Sequence, residues 1–154
     1  MSPGSARDWG ADPASLPLPV GGARLVRLHA VEEARGLLTV GEAARQVPFE
    51  PRRYFVVSEV PDENIRGEHA HLALHQFLVC LAGRVTAEVD DGRRRAAIVL
   101  DTPRVGLYMP PLTWGAQHHY SRDAVLLVLA SHEYDAADYV RDYPRFLELA
   151  GATR

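Results

Sequence analysis

The chain of 154 residues contains no lysine, and all 17 of its basic residues are arginine. Schiff-base chemistry on a lysine amine is therefore excluded, including covalent attachment of pyridoxal phosphate. A carbonyl substrate would have to be handled by acid–base chemistry, a metal or a diffusible cofactor. Only one cysteine is present, Cys80, so no intrachain disulfide can form and a reducing cytoplasm is the expected compartment. Apolar runs stop far short of the roughly 20 residues that span a bilayer. The opening Met1-Ser2-Pro3-Gly4 has no secretory apolar stretch. Net charge is small as well: 20 acidic against 17 basic residues leave −3, which gives no bulk drive toward nucleic acid or anionic membrane.

What is present suits one globular domain with its own core. Residues 1–22 read as a flexible tail, with Pro3, Pro13, Pro17 and Pro19 among small residues. Residues 23–154 read as a single domain. Short strand patterns dominate it: 24–29, 36–40, 53–60, 69–81, 85–90, 96–100, 105–109 and 124–130. Val85, Ala87 and Val89 alternate with polar residues, and Asp91-Gly92 is hairpin-turn chemistry. The run 124–130 is apolar throughout and belongs inside a sheet. Asp135 is placed to cap a terminal helix, with Asp138 three residues on, and Pro144 can open a second one. Many strands, frequent turns and one helical end predict an all-β antiparallel sandwich or jelly roll with a short C-terminal helical segment.

Gly67-Glu68-His69-Ala70-His71 carries the most chemical information. On a strand, His69 and His71 share a face roughly 6.5–7 Å apart, and if the strand continues so does His75. Such a row is compatible with a metal site completed by His118. It is equally compatible with metal-free acid–base catalysis.

The ordered segments Arg66-Gly67-Glu68-His69-Ala70-His71, His75-Gln76-Phe77-Leu78-Val79-Cys80-Leu81-Ala82-Gly83, Asp90-Asp91-Gly92, Val105-Gly106-Leu107-Tyr108, Pro110 to Trp114, Leu129-Ala130-Ser131 and Tyr134 to Tyr143 resemble the WxcM-like cupins, the sugar-nucleotide 3,4-ketoisomerases. Where metal cupins usually carry a glutamate ligand this chain has His75, and their second Pro-x-Gly-x-x-His motif is replaced by Trp114-Gly115-Ala116-Gln117-His118. The resemblance implies a cupin-type fold and a homodimer. It implies no metal and no organic cofactor, and a dTDP-linked 4-keto-6-deoxyhexose whose carbonyl moves from C4 to C3. The product would then be aminated into a deoxyaminosugar for antibiotics or glycans.

That reaction needs loss of the C3 proton, an enediol and reprotonation at C4. By the resemblance His71 is the base, with His69 orienting it or relaying the proton. His75, Tyr108 and Gln117 are candidate donors to the enediol oxygens. Arg66 and Arg53 are candidates for the diphosphate, since guanidinium forks match phosphate oxygens. Trp114 is a candidate stacking surface for sugar or thymine. Three other readings stay open at this stage: a ketosugar epimerase, a metal-dependent cupin enzyme and a non-catalytic sugar-binding module.

Overall fold

The computed structural model describes residues 15–61 and 63–151. Thirteen strands run in the order β1 (Ser15–Pro17), β2 (Arg24–Arg27), β3 (His29–Glu33), β4 (Gly36–Val40), β5 (Arg53–Ser58), β6 (Arg66–His71), β7 (Gln76–Ala82), β8 (Val85–Asp90), β9 (Arg95–Leu100), β10 (Val105–Met109), β11 (Trp114–His118), β12 (Val125–Ala130) and β13 (Tyr139–Val140). One helix, α1 (Tyr143–Leu149), follows. All strand pairs between these elements are antiparallel. They form a six-stranded sheet, β1-β2-β10-β7-β12-β5, and a five-stranded sheet, β13-β6-β11-β8-β9. The hairpin β3–β4 stands apart from both. The cupin-type sandwich read from the sequence is therefore the fold.

The main core lies between the sheets, because inward positions alternate along each strand. Leu25, Leu78, Val85, Ala87, Val89, Leu107 and Leu126 are almost fully buried in it. A second cluster, with Phe77, Val79 and Tyr108, sits on the outer face of the six-stranded sheet beneath Val47 and Phe49. The apolar run 124–130 becomes β12, flanked by β7 and β5 and so inside its sheet.

Two sequence expectations shift. Residues 1–14 of the expected tail lie outside the described residues, but residues 15–22 are part of the domain. Ser15–Pro17 pairs with β2, and Val20 is buried in the main core. Val20, directly after Pro19, supplies the buried contact that a composition argument overlooks. At the other end, the helix expected from Asp135 is only a 3-10 turn, Ala136–Asp138, capped by Asp135 accepting from the Ala137 N–H at 2.9 Å. The chain then extends as β13 before Asp142 caps α1. Pro144 opens that helix as expected.

Candidate active site

A cavity of about 450 Å³ opens between the two sheets. The six-stranded sheet contributes Arg53 from β5 and Gln76 from β7, and the five-stranded sheet contributes Arg66, His69 and Gln117. The segment after β12 closes one side with Tyr134, Tyr139 and Arg141. Three guanidiniums and no carboxylate line it among the described residues, so it suits a polyanionic ligand.

Local backbone geometry decides which side chains arrive. Arg66 and His69 are an odd number of positions apart, and a regular strand would send them to opposite faces. A bulge resolves this. Gly67 and Glu68 both have positive φ, 86° and 57°. Gly115 pairs with His69 while Ala116 pairs with Gly67, which leaves Glu68 as the extra residue. Gly67 cannot carry a side chain here, because a Cβ would lie 2.9 Å from the Gly115 carbonyl oxygen.

The two histidines are not equivalent. His69 lines the cavity. His71 is 5% exposed and sits behind it, its ring edge-on to His69 with centroids 4.9 Å apart and planes at 87°. Asp138 accepts from His71 Nδ1–H at 3.0 Å and from the Ala73 backbone N–H at 2.8 Å. The Nε2 of His71 faces the amide nitrogen of Gln76 at 3.3 Å. Tyr139 packs on both rings, at 4.9 Å and 4.5 Å, and the Arg141 guanidinium covers Tyr139 at 4.5 Å.

Electrostatics keep both rings neutral near pH 7. Burial, and then the neighbouring His69, push His71 down to about 4 against the upward pull of Asp138. Burial also lowers His69, with Arg141 adding to it and the Gly67 backbone opposing. The Nδ1 of His69 is buried without a hydrogen-bond partner of normal geometry. Its Nε2 is the nitrogen left for a ligand.

Four expected members of the site are elsewhere. His75 was expected beside His69 and His71, but β6 ends at His71 and the chain crosses to the other sheet before β7 begins. Parity is lost in the crossing, and His75 lies on the outer face with Tyr108, their Nδ1 and hydroxyl 2.7 Å apart. Tyr108 is off the cavity for the same reason, since its neighbour Leu107 takes the inward position on β10. Trp114 packs outside the five-stranded sheet against Tyr143 at 5.0 Å and Phe146 at 5.5 Å. His118 is also on that outer face, 3.4 Å from Glu88, so the four-histidine metal constellation does not converge. No group of three or more metal-binding side chains occurs among the described residues.

Sequence reasoning does not assign Gln76, Asp138, Tyr139 and Arg141 to the site. Gln76 was hidden in an apolar strand, and Asp138 was read only as a charge near a helix start. Gln76 and Asp138 meet His71 from 5 and 67 positions away, and β13 brings Tyr139 beside His71 only by pairing with β6.

The family model FdtA, described as WxcM-like, C-terminal, matches residues 21–151. A TDP-4-oxo-6-deoxy-alpha-D-glucose-3,4-oxoisomerase of Aneurinibacillus thermoaerophilus is 39% identical over 123 residues, covering 80% of this chain and 88% of that one. Among solved structures, the QdtA 3,4-ketoisomerase of Thermoanaerobacterium thermosaccharolyticum, a double mutant in complex with TDP, superposes with a TM-score of 0.82. It is 35% identical, over 85% of this chain and 95% of that one. A histidine-to-asparagine mutant of QdtA in complex with TDP-4-keto-6-deoxyglucose gives 0.81 at 34% identity, over 84% and 94%.

Proposed function

The chain belongs to the WxcM-like FdtA family, and from that premise we propose that its arginine-lined cavity performs the following isomerisation. The protein is a sugar-nucleotide 3,4-ketoisomerase that converts a dTDP-4-keto-6-deoxyhexose to its 3-keto isomer. The reaction is proton transfer between adjacent carbons, which a lysine-free site can run through an enediol.

The observation that carries the assignment of roles is the placement of His69 on the cavity wall with His71 behind it. The group that takes a proton from carbon must touch that carbon. His69 therefore removes the C3 proton through Nε2, and the sequence-based order of the pair is exchanged. The C3–H electrons form the C3=C4 bond, and the carbonyl electrons move to O4, which takes up a proton. In the second half O3–H is lost, the C3 carbonyl forms, and C4 is protonated from His69 Nε2, whose hydrogen exchanges with solvent between the two halves. His71 stays neutral, held by Asp138, and keeps a second positive charge away from His69 when it is protonated. Gln117 and Tyr139 border the cavity as donors to the oxygen that gains charge. Arg53, Arg66 and Arg141 are the groups available to the diphosphate.

The reading extends to cytoplasmic location and to a place before an amino-transfer step, which this lysine-free chain cannot itself perform with a covalently held pyridoxal phosphate. It also extends to a homodimer, supported by exposed apolar residues on the unattached hairpin, Leu37 and Leu38, and on the edge strand β5, Tyr54 and Val56. Sedimentation equilibrium should give twice the 17.0 kDa chain mass.

The decisive experiment is turnover of the 4-keto substrate in deuterium oxide. The 3-keto product should carry solvent deuterium at C4. His69→Asn should abolish exchange while TDP still binds, and His71→Asn should lower turnover about 10²-fold with exchange still measurable. Return of a 4-keto sugar inverted at C3 would instead indicate an epimerase. Exchange that survives in His69→Asn but vanishes in His71→Asn would restore the order expected from the sequence.

A further inference from the structure

The direction of every hydrogen bond running from Asp138 to the cavity follows from chemistry. A carboxylate has no hydrogen to give, so the 3.0 Å contact of Asp138 requires the hydrogen on His71 Nδ1. Neutral His71 then has only a lone pair on Nε2. The group facing that lone pair at 3.3 Å must donate, and in Gln76 only the amide NH2 can do so. The carbonyl oxygen of the Gln76 amide is thereby turned away from His71. Gln76 itself lines the cavity, which His71 does not. The oxygen freed from His71 is the acceptor that this cavity-lining side chain has to offer a ligand.

We propose that Gln76 is a specificity-determining residue of the isomerase, its side-chain oxygen accepting the hydrogen of a hydroxyl at C2 or C3 of the ketosugar. The inference rests on the ketoisomerase reading and adds the residue that selects the hexose. A nucleotide-linked 4-keto-6-deoxyhexose keeps two ring hydroxyls, one on the C3 carbon addressed by His69 and one on its neighbour C2. The acceptor cannot rotate to become a donor without facing its own carbonyl oxygen toward the lone pair of His71. Gln76 therefore discriminates against a sugar that lacks the hydroxyl, because its oxygen would be left unpaired in a cavity walled by Phe55, Leu78 and Val128. Asp138 and His71 act as positioning residues for this contact.

The test uses the full-length protein, Gln76→Leu and Gln76→Met, with four ligands: TDP, the natural TDP-linked 4-keto-6-deoxyhexose, and its 2-deoxy and 3-deoxy analogues. Binding of TDP and the analogues is read as inhibition constants, and the natural sugar through KM. Both variants should bind TDP within about twofold of the wild type, which also shows that they fold. Affinity for the natural sugar should fall about tenfold, the worth of one lost hydrogen bond. For one of the two deoxy analogues the gap between wild type and variants should close. An equal loss on TDP, an unchanged KM, or the same gap on all three sugars would each overturn the proposal. Failure of the wild type to bind the natural sugar at all would instead remove the ketoisomerase reading.

Discussion

Asp138 sets the tautomer of His71 through a single 3.0 Å contact, and its other oxygen holds the Ala73 backbone. Asparagine at this position offers an N–H instead, which would move the imidazole hydrogen to Nε2 and put two donors face to face at Gln76. Asp138→Asn should therefore lower kcat about 10²-fold or more and also raise KM for the sugar, since Gln76 would turn its oxygen toward His71, while TDP still binds as before. Steady-state kinetics separate the two parameters. The residue was visible in the sequence as a charged position, but its partner lies 67 positions away. By contrast, the pairing of His69 with His71 on one face follows from strand periodicity alone, because the distance between them is local.

At the scale of elements, β7 and β10 lie side by side, and Gly106 exists to let Phe77 in. A Cβ at Gly106 would collide with the Phe77 ring, whose side chain is fully buried. Backbone on one strand and an aromatic ring on its neighbour thus fill one space. Gly106→Ala should destabilise the fold by about 1–3 kcal/mol, readable as a lower midpoint in urea with unchanged slope. An unaltered midpoint would show that the ring can move aside. The β6 bulge is the second device at this scale. It turns Arg66 onto the side of His69, something no alternation pattern in the sequence announces. Gly67-Glu68 reads as an ordinary strand dipeptide, and the positive φ values arise from how β6 must meet β11. The crossing from β6 to β7 is the third. It reversed the expected side of His75, because four residues of loop reset the period on which that expectation depended.

For the whole molecule, acid should act through the two neutral imidazoles. An imidazole of ordinary pKa 6.5 in the unfolded chain takes up a proton as pH falls below that value, while His71 in the fold resists until about 4. His69 is lowered in the same direction. Between these limits the unfolded chain binds more protons, so stability is full above about 6.5 and declines toward about 4. Thermal melts across this range should show a midpoint that is level at neutral pH and falls on acidification. The decline should be smaller in His71→Asn, which has no imidazole there to charge. A midpoint independent of pH from 7 to 4 in the wild type would contradict the burial of the pair. A chelator should leave turnover unchanged, since His75 and His118 lie on outer faces and cannot join His69 and His71 around one ion.

The sequence by itself determined the class of fold, the lack of imine chemistry and the presence of a histidine pair on one strand face. Each of these depends on composition or on a period of two residues, and neither needs distant contacts. Only the tertiary structure decided which imidazole meets the ligand, that Asp138 and Gln76 flank the other, and that His75, Tyr108 and Trp114 serve the packing of outer faces. Those outcomes depend on where strands change sheet and where one extra residue bulges. Both are settled by the stacking of two sheets, whose contacts join residues far apart in the chain.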